Sequence, residues 1–107
     1  MESRVPLVVP LEGSGRFTRI LAGVPATAGM KSGLVTLNPG EAVGEHTTTG
    51  REEAIIILAG RAAVYCAGKL FTSAGADSLV YIPPDTRHDI RNEGGEILRY
   101  LYVVTPV

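Results

Sequence analysis

The apolar residues of this chain come in short bursts, and glycine or proline separates one burst from the next. Residues 16–22 (RFTRILA), 33–37 (GLVTL), 53–58, 61–67, 69–72, 78–82, 87–92 and 96–104 each read as a strand. A further apolar segment, beginning at Val5, is also read as a strand, the first of the chain. The thirteen glycines and seven prolines are spread along the chain rather than gathered in one linker, so they punctuate strands joined by turns. Asn38-Pro39-Gly40 is a strong turn signal, because Pro presets φ and Gly accepts φ > 0. Ala59-Gly60-Arg61 is a hairpin candidate between two of the strands. Helix has little support: residues 52–58 are dense in β-branched Ile, which favours a pleated surface. Pro25, Gly29 and Gly33 break the segment 23–33. Strand signals recur roughly every ten residues, which predicts an all-β sandwich or closed barrel.

Composition narrows the function classes. A chain of 107 residues is expected to form one domain over residues 1–107. Ten Lys plus Arg against eleven Asp plus Glu leave a net charge of −1, which gives no field for nucleic acid and no polybasic patch for a membrane. The longest apolar run, from Ala54 to Ala59, is far too short to span a bilayer. The opening residues Met1, Glu2, Ser3 and Arg4 lack the basic-then-apolar layout of a signal peptide. Cys66 is the one cysteine and has no internal disulfide partner, so a reducing cytoplasm is the expected location.

Two stretches carry candidate chemistry. In GEAVGEHTTTGREEAIIILAG, His46 follows Gly40 by six residues, Glu53 follows His46 by seven, and Gly60 follows Glu53 by seven. In DSLVYIPPDTRHDIRN, Pro83 lies five before His88 and Asn92 four after it. Neighbouring side chains on a strand point to opposite faces. Thr48 therefore shares a face with His46, and Glu45 and Glu52 face away from the neighbouring candidate ligands. If the Glu53 strand lies beside that of His46, two imidazoles and a carboxylate converge, which is the ligand set of a mononuclear divalent site.

These two stretches resemble the two motifs of the cupin family over residues 33 to 104. Gly40, His46, Glu53 and Gly60 meet every spacing of the first motif, with Thr48 in place of its second histidine. Pro83, His88 and Asn92 match the second motif, with Asp77 and Asp85 where glycines are usual. The resemblance implies a jelly-roll or double-stranded β-helix barrel of roughly eight to eleven strands. It also implies a homodimer in which N-terminal segments extend the partner's sheet. The family's metal shell of three His and one Glu is reduced here to His46, Glu53 and His88, which suits one Fe, Mn or Zn ion per chain and leaves open positions.

The other residues have plainer expectations. Thr48 is expected to be a pocket wall rather than a ligand, and Asn92 a strand-end or turn residue. Cys66 is read as a small buried hydrophobe. Tyr81, Tyr100 and Tyr102 are read as packing residues, with pocket-edge hydroxyls as the alternative. Arg51 and Arg87 are read as solvated charges, with anion binding as the alternative. The expected function is a metal-dependent isomerase, lyase or dioxygenase acting on a small polar molecule such as a sugar acid, carboxylate or dicarbonyl. The alternatives are a non-catalytic small-molecule sensor and a dimeric scaffold that has lost its metal.

Overall fold

The isoleucine run forms the strand around which the fold is built. The computed structural model describes residues 4–107; residues 1–3, part of the chain start read above, lie outside the described residues. Nine strands and no helix occur among the described residues: β1 (Phe17–Ala22), β2 (Lys31–Leu37), β3 (His46–Thr47), β4 (Arg51–Ala59), β5 (Arg61–Cys66), β6 (Lys69–Gly75), β7 (Ser78–Ile82), β8 (Arg87–Arg91) and β9 (Leu98–Pro106). β4 lies between β9 and β7 in a five-stranded sheet of order β1-β2-β9-β4-β7. A four-stranded sheet of order β3-β8-β5-β6 faces it. All pairings are antiparallel.

Alternation decides what fills the space between the sheets. Ile55 and Ile57 point inward from β4 and are fully buried, as are Leu37 and Leu98 from β2 and β9. Val64 and Ile90 meet them from the four-stranded sheet. Ala54, Ile56 and Leu58 on the outward face of β4 are also apolar, so residues 54–59 read as a continuous hydrophobic run. The expected all-β barrel is observed. The segment from Val5 is not a strand: residues 4–15 form no ladder, and Val5 and Val8 are exposed. Arg99 holds the base of this arm through the carbonyls of Gly13 and Leu11, at 2.9 and 3.2 Å. No helix of the described residues is long and apolar enough to cross a membrane.

The hairpin expected at Ala59-Gly60-Arg61 is absent, because β4 and β5 belong to different sheets. Gly60 turns the chain from one sheet to the other at φ +78°. A Cβ at that position would lie 2.4 Å from the Ile97 carbonyl oxygen. The two-residue hairpin turn is instead Ala67-Gly68, with φ 52° and 80°, joining β5 to β6. Such turns match the right-handed twist of the flanking strands. The Asn38-Pro39-Gly40 turn forms as expected, closed by Glu41 N–H to the Asn38 carbonyl at 3.0 Å. Asp77 and Asp85 adopt φ 65° and 55°. That is the left-handed region, which favours glycine and tolerates Asp better than most side chains.

Asn92 follows β8 and is 1% exposed. Its Nδ2 donates to the carbonyls of Leu37 and Glu96 at 2.9 and 2.7 Å, and its Oδ1 accepts from Gly94 N–H at 3.1 Å. Its backbone bonds Gly40 and Glu41. One side chain thus fastens the loop before β9 to the end of β2. Two substitutions test these assignments by chemical unfolding. Gly60→Ala forces a Cβ against backbone at a positive φ and should cost about 2 kcal/mol or more. Asn92→Ala removes the partner of the buried Leu37 carbonyl and of two partly buried backbone groups, at Glu96 and Gly94, and should cost about 2 kcal/mol. Losses below roughly 0.5 kcal/mol, the range of ordinary surface changes, would contradict the assignments.

Candidate metal centre

The site forms at one end of the barrel because β3 pairs with β8. That register sets His46 directly opposite His88, on one face, with ring centroids 4.2 Å apart and planes tilted by 57°. Glu53 comes from the opposite sheet, sent inward by the same alternation that buries Ile55 and Ile57. His88 is 1% exposed and Glu53 7% exposed, whereas His46 stands exposed at the rim. One donor atom from each of His46, Glu53 and His88 lies within 4.8 Å of the other two.

The backbone fixes which ring nitrogen faces the cluster. His46 Nδ1 lies 3.0 Å from the Gly44 carbonyl oxygen, and His88 Nδ1 lies 3.0 Å from that of Thr86. A carbonyl only accepts, so each Nδ1 carries the proton and each Nε2 is turned toward the cluster. This is the arrangement that orients ligating histidines in metal sites. His88 Nε2 donates to Glu53 Oε1 at 2.9 Å. Burial pushes the His88 pKa down, but the hydrogen bonds to Glu53 and Thr86 and the charges of Glu53 and Asp89 outweigh it. The net effect holds His88 above the usual histidine range. A proton thus sits between two donor atoms, as it does where a cation can replace it. Ligands about 2.1 Å from one ion lie about 3 Å apart when adjacent and about 4.2 Å apart when opposite. With the three donors within 4.8 Å of one another, the separations stand close to that range and the donor types suit a divalent cation.

Thr48 does not line the cavity, contrary to the expectation that it forms a pocket wall. It is buried, and its hydroxyl donates to the Pro83 carbonyl at 2.7 Å while accepting from Thr86 N–H at 3.1 Å. Thr48 therefore fastens the loop whose Thr86 carbonyl orients His88. Glu45 and Glu52 face away as alternation requires: Glu45 pairs with Arg87 at 3.4 Å, and Glu52 accepts from Tyr81 at 2.7 Å on the outer face. Cys66 sits opposite His88 in register, packs against the core, and has its thiol pKa raised by burial.

A cavity of about 340 Å³ opens beside the cluster. His46 and Glu53 line it, with Phe17, Val35, Val43, Ile90 and Val104 as apolar walls. Tyr100, Tyr102, Lys31 and Arg51 complete it. Sequence reasoning held the two tyrosines and Arg51 as alternatives and did not single out Lys31 or Phe17. Their alternation with Glu53 and Ile55 across paired strands was the available signal.

Comparison with known proteins agrees with this architecture. A family model described as "Cupin domain" matches residues 33–104. A curated relative, Polyketide synthase CurC of Streptomyces cyaneus, is 36% identical over 86 residues. That match covers 78% of this chain and 55% of the relative, so the chain spans about half of that protein's length. Among solved structures, a Cupin 2 conserved barrel domain protein from Salinispora arenicola superposes with a TM-score of 0.74 at 27% identity, covering 100% of this chain and 90% of the other. A predicted oxalate decarboxylase from Thermotoga maritima gives a TM-score of 0.70 at 21% identity, covering 94% and 100%; it bears on the fold alone. With the double-stranded β-helix architecture and most of the sequence in agreement, the chain belongs to the cupin family.

Proposed function

We propose that this chain is a metal-dependent cupin enzyme. It holds one divalent ion, Fe, Mn or Zn, through His46, Glu53 and His88, and acts on a small carbonyl-bearing molecule in the adjoining cavity. The observation that carries the reading is the convergence of two backbone-oriented imidazoles and a buried carboxylate at the edge of that cavity. Bound there, a divalent ion supplies Lewis-acid polarisation of a substrate oxygen. Glu53 and His88 hold their positions by burial, and His46 closes the set from the rim. Phe17, Val35 and Ile90 exclude water from the substrate's carbon skeleton, which strengthens polar contacts inside. The similarity to a polyketide synthase supports a dicarbonyl substrate over a sugar acid. The single unpaired cysteine supports a reducing, cytoplasmic setting.

A second reading is a non-catalytic small-molecule binder. The commitment of the Thr48 hydroxyl to the backbone favours it, since three protein ligands then remain where the family's usual set has four.

The chain also pairs with a second copy. In the register of β4, β7 and β9, Ile56 lies beside Leu79 and Leu101, and Ala54 beside Tyr81 and Val103. This forms an apolar stripe on the outer face, with Leu79 63% exposed. Burying such a stripe against its symmetry mate drives association. Light scattering after gel filtration should give twice the chain mass, and Leu79→Asp should give a monomer. A monomeric parent protein would contradict this.

Metal analysis of protein purified without chelator should find one ion per chain, lost after dialysis against a chelator and restored by Zn, Mn or Fe. His46→Ala should lose the ion while shifting the stability of the metal-free protein by no more than about 0.5 kcal/mol, because the residue is exposed. His88→Ala should lose the ion and also cost about 3–5 kcal/mol, because it leaves the Glu53 carboxylate buried without a partner. Turnover of dicarbonyl compounds should vanish in both. Failure of the parent protein to bind any of the three metals stoichiometrically would refute the reading. Stoichiometric metal and ligand binding without turnover would favour the second.

A further inference from the structure

Two features of the cavity are left unused by the metal cluster. Tyr100 is 3% exposed and lines the cavity, and its hydroxyl makes no hydrogen bond among the described residues. Among the described residues no buried side-chain oxygen or nitrogen lacks a partner, so the accessible sliver of Tyr100 includes that hydroxyl. A phenol held this deep without a protein partner leaves a polar group to be satisfied from the cavity. Burial, followed by the charge of Glu53, pushes its pKa well up, so it remains a donor.

At the mouth, Lys31 and Arg51 line the cavity from β2 and β4, the strands on either side of β9, and no carboxylate pairs with either among the described residues. Glu53, the one carboxylate among the lining residues, is engaged by His88. Arg19 adds a third positive charge at the register position of Gly33 and Tyr102. Between mouth and floor the wall is flat: the rings of Phe17 and Tyr102 stack at 6.2 Å and 21°. Gly33 makes that stack possible, because a Cβ there would lie 2.6 Å from both rings. Tyr100 and Val104 are four residues apart on β9, about 13 Å at ~3.3 Å per residue.

We infer that the cavity recognises a planar organic acid, its anionic head between Lys31 and Arg51, its flat body on the Phe17–Tyr102 wall, and an oxygen at its far end hydrogen-bonded to the Tyr100 hydroxyl. The inference deepens the proposed function by naming the substrate class, and it shares that reading's cavity but not its metal. Lys31 and Arg51 are specificity residues for the anion; Tyr100 is the positioning donor.

The test uses the full chain with 4-hydroxycinnamate, its methyl ester and unsubstituted cinnamate as probes, read by titration calorimetry and by amide chemical shifts. The acid should bind at least about tenfold tighter than the ester, the difference expected for one charge-assisted hydrogen bond. Lys31→Gln with Arg51→Gln should abolish that preference while leaving ester binding and the melting temperature unchanged. Tyr100→Phe should weaken 4-hydroxycinnamate by roughly tenfold and leave cinnamate unaffected, which a merely structural role would not do. Equal binding of acid and ester, or an acid preference that survives the double substitution, would overturn the inference. Metal content is measured on the same samples. Acid selectivity without a stoichiometric ion would sink the metal reading alone, and a stoichiometric ion without acid selectivity would sink this one alone.

Discussion

A buried charge pair between two sheets governs this molecule. His88 on β8 and Glu53 on β4 meet at 2.9 Å with almost no solvent access. Each would be costly to bury alone, and together they tie the mouth of the barrel where the hydrophobic core ends. The pairing demands that both strands present their odd-numbered or even-numbered residues inward in the right register. The fully buried Ile55, Ile57 and Ile90 enforce that register from below, since a one-residue slip would turn every one of them outward. The core thus positions the site, and the site in turn caps the core.

Much of this was legible in the sequence, because alternation is a local property. The inward direction of Glu53 and the outward direction of Glu45 and Glu52 follow from strand period alone. The spacing of the two stretches brought His46, Glu53 and His88 together correctly. What could not be read was decided by contacts between distant residues. Gly60 looks the same whether it closes a hairpin or carries the chain to the other sheet, and only the Ile97 carbonyl packed against it decides. Thr48 shares the parity of His46, yet β3 ends at Thr47 and its hydroxyl is captured by the backbone of the loop at Pro83 to Thr86. The Val5 segment is apolar enough for a strand, but no edge among the described residues pairs with it.

The cavity divides into two chemistries that the fold keeps apart. Its floor near Tyr100 is buried, so a polar contact to the phenol there counts for more than one in open solvent. Its mouth near Lys31 and Arg51 is wet, so charge there steers and orients more than it binds. The cluster stands at the mouth, where Glu53 is level with Val104 and Lys31 in the register of β4, β9 and β2. Family membership fixes the barrel, while the residues facing the cavity decide what the barrel does.

The most direct test of the central claim is X-ray absorption spectroscopy on the zinc-loaded protein. The account predicts a shell of about four nitrogen or oxygen atoms at about 2.0–2.1 Å, with the outer-shell scattering of two imidazoles. A spectrum containing only light-atom ligands, with no imidazole scattering, would contradict it.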